Sequence, residues 1–208
     1  MILAHKIQLD PTVKQRKYFA MAAGTARFTW NWALNEWNNQ YKAGLKPSGA
    51  KLKKEFNAIK YEKFPWLENI HRDAHSQPFA NLQRAFNAFF EGIEGHPQFK
   101  KKGVYDSFYV ANDRLRMEGK SIWLPVIGRV RMREALRFEG KLMGAVVSRT
   151  ADKWFVSIQV DVKDYQKPRI SDKQTAIDLG VNHLATGFDG ISAWKVSGPK
   201  PIKRLMGK

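Results

Sequence analysis

The sequence Thr175-Ala-Ile-Asp-Leu-Gly-Val-Asn-His-Leu-Ala-Thr-Gly-Phe-Asp-Gly190 predicts two β-strands joined by a tight turn. The short apolar run Ala176-Ile177 leads into Asp178, and the second apolar segment, Leu184-Ala-Thr186, ends at the turn Asp189-Gly190. In such a pair of strands the carboxylate of Asp178 would project from the centre of a growing sheet. Several classes of enzyme that handle phosphates place a metal-binding aspartate in this way, so we identify Asp178 as a candidate metal ligand.

The chain before this stretch begins with a predicted strand and a long helical segment. Apolar and polar residues alternate over 2–9, as they do in a strand. Asp10-Pro11 predicts a helix start, with aspartate as the N-cap and proline at the first helical position. Apolar residues then recur at spacings near 3 and 4 until about Ala43, and Gly24 predicts a junction between two helices.

Two more helices are predicted in the first half of the chain. Residues 49–60 form a short basic helix, and Ser76-Gln-Pro-Phe79 opens another, because Pro78 is tolerated only in a first turn. The apolar stripe of that helix favours the core of a helical bundle over a row of base-stacking rings. The stripe consists of Phe79, Leu82, Ala85, Phe86, Phe89 and Phe90.

The pattern changes after a basic, turn-rich joint at residues 95–103. Short alternating segments follow at 107–110, 115–117, 121–124, 128–132, 144–149 and 154–162. Strands at this spacing indicate an antiparallel barrel or sandwich. Residues 2–9 fit the same barrel, which would make the helical region an insertion between its strands. The predicted fold class is therefore α+β, and residues 164–172 are predicted to be a linker.

The charge of the chain predicts an anionic partner. Lys and Arg number 36 against 19 Asp and Glu, which gives a formal charge of +17. Such an excess favours nucleic acid or an anionic membrane surface, and the interleaved aromatic residues favour nucleic acid. There are no cysteines, which excludes disulfides and thiolate zinc sites within this chain and fits a reducing compartment. The alternative to a protein with an anionic partner is a basic protein that is merely soluble. We expect a cytoplasmic protein with no membrane association.

Taken in order, eight landmarks resemble the N-terminal half of the TnpB (OrfB) proteins of insertion sequences, which are related to type V CRISPR effectors and often classed as transposases. They are Lys6-Ile-Gln-Leu-Asp-Pro11, Ala26-Arg-Phe-Thr-Trp-Asn-Trp32, Trp66-Leu67, Asn81-Leu-Gln-Arg-Ala-Phe86, Phe89-Phe90, Pro97-Gln-Phe-Lys-Lys-Lys102, Leu124-Pro-Val-Ile-Gly-Arg-Val130 and Ile177-Asp-Leu-Gly-Val-Asn-His-Leu-Ala185. The resemblance implies an RNA-guided DNA endonuclease that binds guide RNA and target double-stranded DNA.

The resemblance also implies a domain organisation. A wedge β-barrel would comprise residues 1–10 and 104–165, with a helical recognition domain inserted at 11–103. Residues 173–208 would begin an RNase H-like (RuvC) domain that is incomplete here. Asp178 matches the first catalytic RuvC carboxylate.

Two-metal cleavage of a phosphodiester needs several carboxylates, because two Mg²⁺ ions must be held and neutralised together. In the family the other carboxylates, and a Cys-rich Zn²⁺ ribbon, come from later segments. We therefore expect residues 1–208 to be inactive alone, and to be a truncated form, the product of a decayed gene or part of a longer protein. Asp189 is predicted to form a turn and His183 to have a structural role.

Basic residues at the joints are the candidates for nucleic-acid binding. Lys100, Lys101 and Lys102 form a phosphate-holding cluster, with a solvated charge run as the alternative. Arg129 and Arg131 alternate on one face of a predicted strand and suit a nucleic-acid backbone. By the resemblance, the DNA motif beside the target would be read by Arg72, Ser76, Gln77 and Asn112, since Arg suits guanine and Gln and Asn suit adenine.

Rival interpretations predict different ligands. An actin-like or sugar-kinase ATPase also has an Asp-x-Gly turn, but such domains begin at that motif and need a second phosphate loop, whereas nothing Gly-rich follows Asp178 here. A non-catalytic RNA- or DNA-binding protein, such as a nuclease-dead repressor-like relative, is the more serious rival, because the predicted barrel and helices suffice for binding. A basic membrane-surface protein ranks low.

Overall fold

The structure is a computed structural model that describes residues 1–163, 175–180 and 183–198. The chain divides into two compact units, Met1–Tyr165 and Gln166–Lys208. The first unit contains three α-helices and seven strands. They are β1 (Ile2–Asp10), α1 (Val13–Lys42), α2 (Gly49–Lys63), α3 (Arg72–Phe90), β2 (Ser107–Ala111), β3 (Arg116–Glu118), β4 (Ser121–Leu124), β5 (Gly128–Met132), β6 (Lys141–Thr150) and β7 (Lys153–Asp161).

Helix α1 is one continuous helix of 30 residues. Its N-cap is Thr12, whose side chain accepts a hydrogen bond from the N–H of Gln15, while the Gln15 side chain accepts one from the N–H of Thr12. This reciprocal capping box replaces the predicted start at Asp10-Pro11. The predicted junction at Gly24 is also wrong. The helix continues through Gly24, because the packing of its buried face stabilises it by more than the low helix propensity of one glycine destabilises it.

Helix α3 begins four residues before the predicted start at Ser76. It therefore holds Pro78 in its interior rather than in its first turn. Proline cannot donate the backbone hydrogen bond of its turn. The ring of Pro78 is buried together with Ala74 and Phe79, so the apolar face of the helix continues through the proline.

The seven strands form an antiparallel sheet in the order β2-β6-β7-β1-β5-β4-β3. Strand β1 pairs with β7 on one side and with β5 on the other, so it belongs to the same sheet as the later strands. The three helices follow β1 and precede β2 in the chain, and they are therefore an insertion between strands of one sheet, as the sequence indicates. Strands β2 and β3 lie at the two ends of this order, and no pairing joins them within the described ranges. The prediction of a closed barrel is therefore not confirmed.

Two hydrophobic clusters lie in this unit. One joins the inner face of the sheet to the first half of α1, where the ring of Phe19 lies 5.7 Å from that of Phe108 and 5.2 Å from that of Trp154. The other holds the three helices together, with Trp37 stacked on Phe86 at 4.1 Å. The predicted stripe of α3 supplies buried core residues, although Phe90 at its end is exposed.

The second unit contains a three-stranded antiparallel sheet in the order β10-β9-β8. Its strands are β8 (Ala176–Asp178), β9 (Ala185–Phe188) and β10 (Ala193–Val196). The predicted strand pair is confirmed, with Asp178 opposite Thr186. Asp189 forms the turn between β9 and β10, because its Oδ1 accepts hydrogen bonds from the N–H groups of Ile191 at 2.9 Å and Ser192 at 2.7 Å. The predicted linker 164–172 lies outside the described residues.

Candidate nucleic-acid interface

A cleft of about 470 Å³ opens where the start of α3 meets the turn after β2 and the β4–β5 hairpin. We call it the arginine cleft. Three arginines contribute to its wall: Arg72 from α3, and Arg114 and Arg116 from the stretch that leads from the turn after β2 into β3. Its lining comprises His71, Arg72, Asp73, Asp113, Arg114, Arg116, Trp123, Leu124, Pro125 and Val126. Guanidinium groups and an indole ring are the side chains that proteins use to hold phosphates and stack bases.

The buried carboxylate of Asp73 fixes the geometry of this cleft. Its Oδ2 accepts a hydrogen bond of 2.9 Å from the N–H of Ala111, at the end of β2. Its Oδ1 accepts hydrogen bonds from Nε and Nη2 of Arg72, at 3.2 and 3.1 Å. One carboxylate therefore ties the start of α3 to the strand that leads into the turn at residues 112–114, and orients the Arg72 guanidinium there.

The buried side chain of His71 makes a second connection between helices and sheet. Its Nε2 lies 3.0 Å from the carbonyl oxygen of Tyr109 and must donate to it, so Nδ1 accepts the hydrogen bond of 2.9 Å from the Tyr18 hydroxyl. The same hydroxyl accepts from the N–H of His71 at 3.1 Å. Burial lowers the pKa of His71, which keeps this neutral tautomer in place.

Acidic residues balance part of the positive charge in the cleft. Nη2 of Arg72 lies 3.9 Å from Oδ2 of Asp113, and Nε of Arg114 lies 3.5 Å from the same oxygen. These side chains are more than half exposed, so the pairs are weak and solvent competes for them.

The residues predicted to read DNA are only partly brought together. Arg72 and Ser76 line a second cleft of about 340 Å³, which also contains Lys53, Asn57 and Lys60 from α2. Asn112 is exposed and immediately precedes Asp113 of the arginine cleft. Gln77 lines a different cleft and donates a hydrogen bond of 3.2 Å to Oδ1 of Asn81.

The three predicted phosphate-binding lysines differ in their surroundings. Lys100 exchanges backbone hydrogen bonds with the Asn31 side chain, and its Nζ lies 4.1 Å from the centre of the Trp30 ring. Partial burial against α1 lowers the pKa of Lys100. Lys100, Lys101 and Lys102 are all exposed. The segment is thus anchored by the backbone of Lys100 and presents its lysine side chains to solvent.

Arg129 and Arg131 are both exposed on β5, whereas Val130 and Met132 between and beyond them are buried. Nε of Arg129 donates a hydrogen bond of 3.0 Å to Oγ of Ser121 on β4. The alternation predicted from the sequence is present. Sequence reasoning did not identify Arg114, Arg116 or Trp123, because Ile122-Trp123-Leu124 is an unbroken apolar run and only the structure shows that Trp123 faces outwards.

Asp178 is exposed at the end of β8. The part of the chain that the structure describes contains no group of three or more His, Cys, Asp and Glu residues that could hold a metal ion. One aspartate does not meet the coordination needs of a pair of Mg²⁺ ions. The described residues therefore do not fit a two-metal site without further ligands.

No helix among the described residues is long and apolar enough to span a bilayer.

The family HTH_OrfB_IS605, described as a helix-turn-helix domain, matches residues 1–46. InsQ of Escherichia coli (strain K12), whose name carries the description RNA-guided DNA endonuclease, is 32% identical over 190 residues, which cover 90% of this chain and 47% of InsQ. The chain belongs to the TnpB (OrfB) family of insertion-sequence proteins. Over the matched residues the structure has β1 and the unbroken helix α1, rather than two helices joined by a turn.

Two further similarities extend along the chain. A protein of Mycobacterium tuberculosis (strain CDC 1551 / Oshkosh) with the same description in its name is 24% identical, over 97% of this chain and 52% of that protein. A chain in the cryo-EM structure of a Cas12f1–sgRNA–target DNA complex aligns with a TM-score of 0.41 and 13% identity, over 100% of this chain and 59% of that one. This TnpB-family chain thus spans about half the length of the curated relatives it matches.

Proposed function

We propose that this chain is the nucleic-acid-binding part of a transposon-encoded RNA-guided DNA endonuclease, and that it binds guide RNA and target double-stranded DNA. The observation that carries the proposal is the arginine cleft, in which Arg72 of α3 meets Arg114 and Arg116 from the stretch after β2, beside an exposed indole. The formal charge of +17 supports it, because an excess of that size attracts polyanions over the whole surface.

Within this proposal, phosphates bind at the arginine cleft, at Lys100, Lys101 and Lys102, and along β5 at Arg129 and Arg131. Guanidinium groups bind phosphate oxygens through two parallel hydrogen bonds, whereas lysines act as point charges. The backbone of Lys100 is held against α1 and the side chain of Arg129 against β4, so binding at Lys100 and Arg129 uses groups that the fold already positions.

The proposal assigns the reading of a short DNA motif to Arg72, Ser76, Gln77 and Asn112. Three of these lie in the first two turns of α3 and the fourth lies in the turn after β2. The hydrogen bonds of Asp73 hold these two segments side by side, which supports a joint role for Arg72 and Asn112. Gln77 faces another cleft, so its part in the reading is the least supported by the geometry.

For catalysis, the proposal makes Asp178 the first carboxylate of a two-metal RuvC-type site. The other ligands of Mg²⁺, and any Zn²⁺ site, would lie in the half of the relatives' length that this chain does not span. A second candidate is a non-catalytic RNA- or DNA-binding protein with a repressor-like role. The lack of a metal-holding group in the described ranges favours it for this chain taken alone.

The test is binding of a labelled 30-nucleotide RNA and a labelled 30-base-pair DNA duplex, measured by fluorescence anisotropy from 50 to 300 mM KCl. The variant Arg72→Gln/Arg114→Gln removes two cleft charges. Lys42→Gln/Lys46→Gln removes two exposed charges outside the described clefts and is the matched control. If both arginines contact phosphates of the duplex, the slope of log K against log[KCl] becomes shallower by about 1.8.

The control variant is expected to change that slope much less. Equal behaviour of the two double variants would remove the arginine cleft from the interface. If the wild-type chain bound neither the RNA nor the DNA duplex at 50 mM KCl, the proposed function and its non-catalytic alternative would both be overturned.

A further inference from the structure

The outer face of β3, β4 and β5 presents an aromatic residue between two arginines. Trp123 on β4 pairs directly with Arg116 on β3 and with Arg129 on β5, so the three side chains form a row across three strands. Residues directly opposite each other in an antiparallel pair have Cβ atoms about 4.5–5.5 Å apart. All three residues are exposed. We call them the Arg–Trp–Arg row.

The core of the protein does not require an indole at this position. The opposite face of the same strands supplies Ile122, Leu124 and Val130 to the hydrophobic core, and all three are buried. Trp123 is 43% exposed and lines the arginine cleft. Its six-membered ring lies beside Gly128, where an added Cβ would be 3.7 Å from the ring.

The two arginines of the row are positioned for anions. Arg129 is oriented by its hydrogen bond to Ser121. Neither Arg116 nor Arg129 forms an ion pair with a carboxylate of the described residues, in contrast to Arg72 and Arg114. Guanidinium groups on both sides of a π-surface match a nucleotide, which carries an aromatic base between two backbone phosphates.

We propose that the Arg–Trp–Arg row binds an unpaired nucleotide of a single-stranded nucleic acid. The base stacks on the indole of Trp123, and the flanking phosphates contact Arg116 and Arg129. Stacking on one ring tolerates any base, because every base has a π-face. A base inside a duplex is already stacked on its neighbours and gains nothing here. This inference rests on the proposed function and deepens it, because it assigns base stacking to Trp123 of the arginine cleft and a single-stranded form to the ligand.

The test compares a labelled ten-nucleotide oligouridine with a labelled 20-base-pair DNA duplex in the full chain. Trp123→Leu keeps an apolar side chain but removes the aromatic ring. Trp123→Phe keeps an aromatic ring that is smaller than the indole. Trp66→Leu is the matched control, because Trp66 is also 43% exposed and lies outside the row. We expect Trp123→Leu to weaken oligouridine binding about 5- to 150-fold, the range measured for loss of one stacked base.

The accompanying readouts separate stacking from a general structural effect. Trp123→Leu should leave the salt dependence unchanged, since it removes no phosphate contact, and should change duplex affinity less than twofold. Arg116→Gln should instead reduce the salt slope for oligouridine by about 0.7. Oligouridine should quench tryptophan fluorescence in the wild-type chain, and Trp123→Phe should lose most of this quenching while binding nearly as tightly.

Three outcomes would overturn the inference while leaving the proposed function standing. They are unchanged oligouridine binding in Trp123→Leu, an equal loss in Trp66→Leu, and a parallel loss for oligouridine and duplex. Equal quenching in the wild-type chain and Trp123→Phe would overturn it by a measurement that does not depend on the leucine variant. Failure of the wild-type chain to bind any nucleic acid would instead overturn the proposed function.

Discussion

The imidazole of His75 is 2% exposed and lies on α3, close to Lys60 of α2 and to its own neighbours His71, Arg72 and Asp73. Burial lowers the pKa of His75 to about 4, and the nearby Lys60, His71 and Arg72 act in the same direction, whereas Asp73 raises the pKa. The protein therefore folds with a neutral imidazole at this place, which has a consequence for its stability in acid.

We predict that the free energy of unfolding falls between pH 7 and pH 5 by about 2 kcal/mol because of His75. The folded-state pKa of about 4 lies below the ordinary value of 6.5, so the unfolded chain takes up a proton first as the pH falls. The stabilisation is complete above pH 6.5 and is lost progressively towards pH 4. Urea unfolding of the full chain at several pH values measures this loss.

His75→Gln is the control for this prediction, because glutamine does not titrate. Its loss of stability from pH 7 to pH 5 should be smaller than that of the wild-type chain by about 2 kcal/mol. His71 titrates in the same direction, since burial also lowers its pKa, and its contribution remains in the variant. An identical pH dependence in both chains would contradict the assigned pKa shift of His75.

Asp73 illustrates what residue-level reasoning misses. In the sequence, an aspartate next to Arg72 argues against a helix start that faces DNA. In the structure the carboxylate is 7% exposed and points inwards to the N–H of Ala111. Ala111 is 38 residues away along the chain, so no local pattern announces the pairing. The negative charge of Asp73 orients Arg72 instead of repelling the proposed ligand.

Helix α1 offers a prediction about a single element. Gly24 lies in its interior, and a Cβ added there would meet only the end of the Arg27 side chain, at 3.7 Å. Gly24→Ala should raise the free energy of unfolding by about 0.5–1 kcal/mol, because alanine loses less conformational freedom than glycine when the helix forms. Thermal unfolding should show a melting temperature about 1–4 °C higher.

Gly49→Ala provides the matched control, since it is the same substitution in another helix. There the added Cβ would lie 2.6 Å from the carbonyl oxygen of Phe79 and 3.1 Å from Cβ of Gln83. These contacts require α2 and α3 to move apart, so this variant should be less stable than the wild-type chain. Destabilisation by Gly24→Ala would show that α1 is strained or interrupted at that point.

The elements were predictable to different degrees. The bounds of the strands from β2 to β5 agree with the prediction to within one residue, because exposed and buried residues alternate along them and Gly-containing turns separate several of them. The starts of α1 and α3 were misplaced, since each was set by a proline. Thr12 caps α1 through Gln15, and the burial of Pro78 with its neighbours lets α3 extend back to Arg72.

For the molecule as a whole, we predict that residues 1–208 do not cut DNA in the presence of Mg²⁺. Asp178 is the single proposed metal ligand, and the described ranges contain no group of residues that would complete a metal site. The measurement is incubation of supercoiled plasmid with the chain and 10 mM MgCl₂, with and without RNA. Cleavage that disappears in Asp178→Ala would contradict the prediction and would place a functional site within this chain.

The fold class, the membership of the TnpB family and the basic surface were all readable from the order of residues. Periodicity reports which face of an element is buried, the motifs occur in a characteristic order, and charge adds up regardless of folding. The arginine cleft and the Arg–Trp–Arg row required the folded chain. Asp73 meets Ala111 across 38 residues, and Arg116, Trp123 and Arg129 come from three strands whose register sets them side by side. The contact between Asp73 and Ala111 depends on how helix and sheet pack together, which no local pattern in the sequence specifies. The register of the two hairpins follows from their turn geometry, which only the folded chain displays.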